Sequence, residues 1–187
     1  MAVLQIVKMF QPHFDYVGSC LRMEASDVLK EELKQEWFHN FVYDMFHTLY
    51  SSVSGVGLSA NQVGILKKVS VIDMKRDGKN PIVLVNPQYS PLGDNKVKGL
   101  ESCMSFPNLS VPVERYSHII VQYLDLNGNE QTLEADGFKA VVFQHEIDHL
   151  YGKVHIDLAT DINDLSYYEG KPATLAKKSF EKLRGGG

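Results

Sequence analysis

The chain has 187 residues, of which 44% are hydrophobic and 22% charged, with a formal net charge of −4. That length is ample for one hydrophobic core, and the composition is that of a globular domain, which excludes a disordered chain. The acidic balance gives no argument for nucleic-acid binding, no run approaches the roughly 18 apolar residues that span a bilayer, and the two cysteines, Cys20 and Cys103, make no disulfide scaffold.

The opening MAVLQIVKMF has too short an apolar run for a signal peptide and no cleavage pattern, and the sparse cysteines make a reducing, cytoplasm-like compartment the expectation. Residues 3–7, VLQIV, read as a short strand. SDVLKEELKQEW opens on Ser26 and Asp27, both favourable helix N-caps, and is acidic in its first turn. Phe38, Phe41, Val42, Met45, Phe46 and Leu49 then recur at i, i+3, i+4, i+7, i+8 and i+11. That spacing is the buried stripe of an amphipathic helix over roughly 35–52. SGVGLSANQVG follows as a glycine-punctuated loop. Strand-like runs come next, KKVSVID at 67–73 and PIVLVNP at 81–87. HIIVQYLDL at 118–126 and NEQTLEA at 129–135 flank Asn127-Gly128, the signature of a hairpin. DGFKAVVFQHEIDHLYG reads as a helix capped by Asp136 and ended by Gly152. Ala140, Val141 and Phe143 make it apolar enough to be central and buried. Beyond Gly152, Val154, Ile156 and Leu158 alternate with His155 and Asp157, as in a strand. A last helix is expected over 172–184, opened by Pro172, before a flexible tail at 185–187. Mixed strands with a late central helix predict a single α+β domain over 1–187.

Within the late helix, His145 and His149 are i and i+4, so both imidazoles face one side and can meet one cation. Glu146 lies beside them, able to take a proton from a water that the cation acidifies. The alternative is a chance match on a solvent-facing helix. Against it, two histidines and two acids are costly to bury in an apolar helix unless something pairs them. A catalytic site of this type has three protein ligands. Four residues offer the third. HEIDHLYGKVH, at 145–155, spells the extended signature of the metzincin proteases with His155 as third ligand. Those proteases also need a methionine turn downstream, and none of the six methionines follows His155. Glu169, 20 residues after His149, sits in the polar stretch SYYEGKP. Cys20, in VGSCLR, reads as a small, partly buried thiol. Cys103, in GLESCMSFP, offers a thiolate suited to zinc or ferrous iron.

Three segments bear on that choice: GVGLSANQ at 55–62, ESCMS at 101–105 and QHEIDHL at 144–150. Together, and in this order, they resemble the peptide deformylase family, which carries G-x-G-L-A-A-x-Q, E-G-C-x-S and Q-H-E-x-D-H. The resemblance spans most of the chain and fades in 10–35, in 88–99 and after about 158. It implies an α+β fold of mixed or antiparallel sheets packed around a central metal-binding helix. It also implies removal of the formyl group from the N-terminal formyl-methionine of new polypeptides, with release of formate. The implied ligands of one divalent ion are Cys103, His145 and His149, with water in the fourth position. Ferrous iron is the metal implied, with zinc, nickel or cobalt as alternatives. Glu146 is then the general base and later the acid. The Gln62 side-chain amide and the Met104 backbone N–H hold the oxyanion. Val56 and Gly57 pair with the substrate main chain as an added strand, and Phe138 and Val141 line the methionine pocket. Glu101 and Arg115 steady a ligand, a surface ion pair being the alternative.

The partners implied are N-formyl-methionyl peptides and, through a basic tail carrying Lys177, Lys178, Lys182 and Arg184, the ribosome, a solvated surface helix being the alternative for that tail. No membrane is involved, and a monomer is the family's default. The location implied is cytoplasm, organelle stroma or matrix, or host cytoplasm for a virus. The chain departs from the family pattern at Ser102, which replaces a glycine, and at Ser59, which replaces an alanine. The basic residue common after the second motif is missing around Leu109 and Ser110. Two other functions remain open at this level: a metzincin-like metalloprotease using His155, and a non-catalytic homologue, suggested by Ser102.

Overall fold

Two antiparallel sheets and two helices enclose the core. The computed structural model describes residues 2–9, 19–159 and 166–167. In chain order these are α1 (Glu36–Ser51), β1 (Gly57–Ser59), β2 (Val69–Ile72), β3 (Ile82–Pro91), β4 (Lys96–Cys103), β5 (Phe106–Tyr116), β6 (His118–Leu124), β7 (Glu130–Asp136), α2 (Gly137–Leu150) and β8 (Ser166–Tyr167). Five strands form one sheet in the order β1-β2-β3-β6-β7, and the other sheet is β4-β5-β8. Every described pairing between these strands is antiparallel.

The helical stripe read from the sequence is the face α1 buries. Phe38, Val42, Met45 and Leu49 pack on Leu58, Val69, Val71 and Val85, with Phe41 and Phe46 at the margin. Each such side chain contributes about 1.5–3 kcal/mol when fully buried. Helix α2 covers the same sheet through Ala140, Phe143 and Ile147, against Ile72, Leu84, Ile119 and Val121. It also meets β5 of the second sheet. Enclosed by both sheets, the helix is buried round most of its circumference, with Gln144, Glu146, Asp148 and His149 buried beside its apolar residues, which is why its sequence shows no single stripe. Gly152 ends the helix region with φ +70, and a Cβ there would stand 2.7 Å from the Arg22 carbonyl oxygen. Only glycine meets both conditions.

Several expectations are corrected. Residues 3–7 join no strand: Leu4 N–H donates to Thr48 Oγ1 and Val7 N–H to the Gln62 carbonyl, so the segment is tied to α1 and the site individually. No helix starts at Ser26. There the Asn86 carboxamide bonds both main-chain groups of Val28, and Lys68 holds Glu24 and Asp27, which keeps the segment extended. A 3-10 turn at Glu32–Lys34 precedes α1. The segment read as a loop at 54–64 contains β1 and a 3-10 turn, Ala60–Val63. The stretch after Gly152 is a 3-10 turn, His155–Leu158, with His155 buried rather than on the outer side of a strand. Strands β4 and β5 have no clear signature in the sequence. Pro107, Pro112 and the exposed residues of KVKGL mask their alternation, although Val111, Val113 and Arg115 are buried in turn. The expected helix at 172–184 and tail at 185–187 lie outside the described residues.

Candidate active site

The site lies where β1, the turn between β4 and β5, and α2 converge. Strand β4 ends at Cys103, and its register with β5 shifts between Ser102 and Cys103. The extra residues on β5 are Pro107–Leu109, with Asn108 in the left-handed region at φ 63. A bulge of this kind bends the strand and re-aims side chains. Here it accompanies the placement of the Cys103 sulfur against α2. Cys103 Sγ lies 3.3 Å from His149 Nε2. Cys103, His145 and His149 each offer a ligand atom within 4.8 Å of the others.

This donor set fits one divalent ion. Sulfur and nitrogen ligands at roughly 2.0–2.3 Å from one ion stand about 3.5 Å apart. His145 Nδ1 pairs with Glu101 Oε2 at 2.8 Å, which leaves the other ring nitrogen for the ion. His149 Nδ1 is buried without a partner. Burial keeps His149 well below the usual histidine range, in the neutral form whose ring nitrogen can bind an ion.

Behind the ligands is a buried ion cluster. Arg115 Nε meets Glu101 Oε1 at 2.7 Å, Nη2 meets Glu101 Oε2 at 3.0 Å, and Nη1 bonds Asp148. The Arg115 and Glu101 side chains are only 3% and 5% exposed, so the surface-pair alternative is excluded. Burial pushes the Glu101 carboxyl up, but the His145 and Arg115 hydrogen bonds outweigh it and hold it at about 2. Tyr89 Oη donates to Asp148 at 3.1 Å.

Glu146 is buried beside the ligands. Its carboxyl is raised by burial, opposed by the His145 charge and the Ser59 hydroxyl. Gln62 is buried as well. The Ser59 N–H donates to its Oε1 at 2.8 Å, which turns Nε2 toward Cys103 Sγ and Ser105 Oγ, both at 3.3 Å. The cleft over these groups measures about 730 Å³ and is lined also by Val56, Gly57, Met104, Phe138 and Val141. Phe138 is 66% exposed, at the rim. Gly57 lies on β1, the edge strand of its sheet, and the Val56 carbonyl accepts from Asp73 N–H at 2.8 Å. A Cβ on Gly57 would fall 2.5 Å from Glu146 Oε1, so only glycine allows this close approach. Ser102 is exposed, keeps φ out of the left-handed region, and its Oγ meets Ser110 Oγ at 2.6 Å. A serine there therefore carries no left-handed backbone strain.

Of the other third-ligand candidates, His155 is buried near His145, with ring centroids 5.6 Å apart, but stands outside the donor group. Cys20 Sγ bonds the Asn61 carbonyl, and Glu169 lies outside the described residues. The sequence did not identify Asp148 as the second partner of Arg115, nor Asn61, whose Nδ2 bonds the His149 carbonyl. The available signal for Asp148 was that a buried acid on α2 needed a partner.

The polypeptide deformylase family model matches residues 3–164. A peptide deformylase of Endomicrobium trichonymphae is 45% identical over 140 residues, 75% of this chain and 79% of that one. Peptide deformylase 1 of Vibrio vulnificus strain YJ016 is 40% identical over 184 residues, 98% and 99% of the two chains. The crystal structure of a class I type b peptide deformylase from Acinetobacter baumannii with Met-Ala-Ser bound aligns at TM-score 0.73. Its identity is 29%, covering 84% of this chain and 98% of that one. With the Cys/His/His group, the glutamate and the glutamine set around one cleft, the chain belongs to the polypeptide deformylase family.

Proposed function

We propose that Cys103, His145, His149, Glu146, Gln62 and the Met104 N–H carry the reaction of this peptide deformylase, hydrolysis of the N-terminal formyl group of new formyl-methionyl polypeptides to release formate. The observation behind the assignment is the convergence of a thiol, two imidazoles, a buried carboxyl and a fixed amide on one cleft. A divalent ion held by Cys103, His145 and His149 would lower the pKa of a water toward about 7 and polarise the formyl oxygen. Ferrous iron is proposed on the family resemblance, because thiolate and imidazole suit both it and zinc. Metal analysis of protein prepared without oxygen separates these from nickel and cobalt.

Glu146 takes the proton of the attacking water and returns it to the departing amine. Burial raises its pKa toward the working range of a base that must also act as an acid. The Gln62 amide and the Met104 N–H donate to the formyl oxygen as it gains charge. One such donor is worth roughly 10²–10³ in kcat. The peptide adds along the open edge of β1 at Val56 and Gly57, with the methionine side chain between Phe138 and Val141. Glu101, fixed by Arg115, orients His145. The protein is proposed to act as a monomer in the cytoplasm. Ribosome contact through Lys177, Lys178, Lys182 and Arg184 rests on the resemblance, and these residues lie outside those described.

Formate release from formyl-Met-Ala-Ser tests the reading. Wild-type protein turns over, chelator stops it, and Cys103→Ala and Glu146→Ala are each inactive. Activity surviving in either variant overturns the assigned roles.

A further inference from the structure

Glu146 has a neighbour that its role as a proton carrier leaves unexplained. Ser59 Oγ lies 2.6 Å from Glu146 Oε2 and 2.9 Å from the Glu146 carbonyl oxygen. It also lies 2.8 Å from Ser70 Oγ, whose own approach to Glu146 is a long 3.5 Å contact with the carbonyl oxygen. Both serines are fully buried. Ser59 and Ser70 are register partners across β1 and β2, so the sheet itself sets the distance between their hydroxyls. A hydroxyl has one proton to give. The arrangement that uses each proton well has Ser70 donating to Ser59 Oγ, and Ser59 donating to the carboxylate. Such a chain strengthens the terminal, charge-assisted bond.

The same strand holds the other carboxylate oxygen. Gly57 and Ser59 are two residues apart on β1 and so face the same side. Gly57 leaves the space that Oε1 fills, since a Cβ there would sit 2.5 Å from it. One oxygen is thus fixed by hydrogen bonding and the other by shape.

We infer that Ser59, backed by Ser70, is a positioning residue that locks the Glu146 carboxylate in its working orientation, with Oε2 tied to the sheet and Oε1 left for the reacting water. The inference rests on the assignment of Glu146 above. Neither serine touches the substrate. Their effect on the reaction passes entirely through Glu146.

The test compares wild type with Ser59→Ala, Ser70→Ala, the double variant and Glu146→Ala, each checked for folding and metal content. Ser59→Ala should lower kcat by about 10- to 100-fold with KM unchanged, the scale of one hydrogen bond to a charged group. Ser70→Ala should lower it less, and the double variant no further than Ser59→Ala alone, because Ser70 acts through Ser59. A crystal structure of Ser59→Ala should show the Glu146 carboxylate turned or in two positions, with Cys103, His145 and His149 unmoved. Unchanged kcat in folded, metal-loaded Ser59→Ala overturns the inference, as does a fixed carboxylate. A loss that appears in KM or in metal content overturns it equally. If Ser59→Ala does not fold, Ser70→Ala decides alone: a fall in kcat at constant KM supports the inference and wild-type kcat overturns it. An active Glu146→Ala would instead remove the role of Glu146 itself. An inactive Glu146→Ala beside a fully active Ser59→Ala removes only the positioning role.

Discussion

His155 is the residue whose sequence context misleads most. It completes an eleven-residue protease signature, yet its ring sits edge-on to Phe106 with centroids 4.9 Å apart, and neither ring nitrogen has a hydrogen-bond partner. Burial, reinforced by the His145 charge, pushes it down to about 3, so the ring is neutral. An unsatisfied buried polar group costs about 1–3 kcal/mol. His155→Phe keeps the aromatic contact and removes that cost. It should raise Tm while leaving metal content and deformylase turnover intact. Metal lost on His155→Phe would restore His155 as a ligand. Cys103 shows the opposite case, an inconspicuous residue in sequence that becomes legible through the company of two other motifs. Spacing within one helix finds His145 and His149, because 3.6 residues per turn is local geometry. A ligand from another strand leaves no such periodic trace.

At the scale of elements, the short strand β1 is the part that most needs explanation, since three residues do not hold an edge by themselves. Asp73, just past β2, helps to do so. Its carboxylate accepts from Tyr50 Oη at 2.7 Å and from the N–H groups of Lys75, Arg76 and Gly78. Arg76, in that turn, bonds the Gly55 carbonyl and the Ser52 carbonyl. The turn therefore clamps the end of α1 and the entry to β1 together. Burial pushes Asp73 up, but the hydrogen bond from Tyr50 and those from the backbone outweigh it, leaving its pKa below the ordinary carboxylate range. A depressed carboxyl contributes stability that is present above the unfolded-state pKa and is lost as pH falls through the folded-state pKa. Asp73→Asn should therefore lower stability at neutral pH and flatten its decline in acid, as read from denaturant midpoints between about pH 7 and pH 2. An equally steep acid decline in the variant would contradict this. None of this clamp was legible in sequence, because Asp73, Tyr50 and Arg76 are a polar trio with no fixed spacing. By contrast, α1 and the β6–β7 hairpin were legible, one from its periodic stripe and the other from Asn-Gly.

For the whole molecule, the metal group is a junction. Cys103 belongs to the β4–β5 sheet and His145 and His149 to α2, so an ion held by the three would tie the smaller sheet to the central helix. Ligands brought together only by folding make ion binding a contribution to stability, about 2.7 kcal/mol at an ion concentration 100 times Kd. Chelation should lower Tm as well as stop turnover, and restoring ferrous iron or zinc should recover the Tm. A Tm indifferent to the ion would show that the junction is already rigid without it. Among the described residues, no helix is long and apolar enough to cross a membrane.

By itself the sequence determined the metal helix, the amphipathic α1, the hairpin around Asn127-Gly128 and, through three motifs in order, the family. These are patterns of short range, set by helical turn, strand alternation and turn chemistry, or words whose order survives in the chain. Only the tertiary structure decided that His155 is a buried bystander and that Glu101 and Arg115 form a buried cluster with Asp148. It alone decided that Ser102 is unstrained and that Ser59 reaches Glu146 from 87 positions away. Those outcomes depend on which elements lie side by side, and burial and pairing between distant segments are properties of packing rather than of spacing.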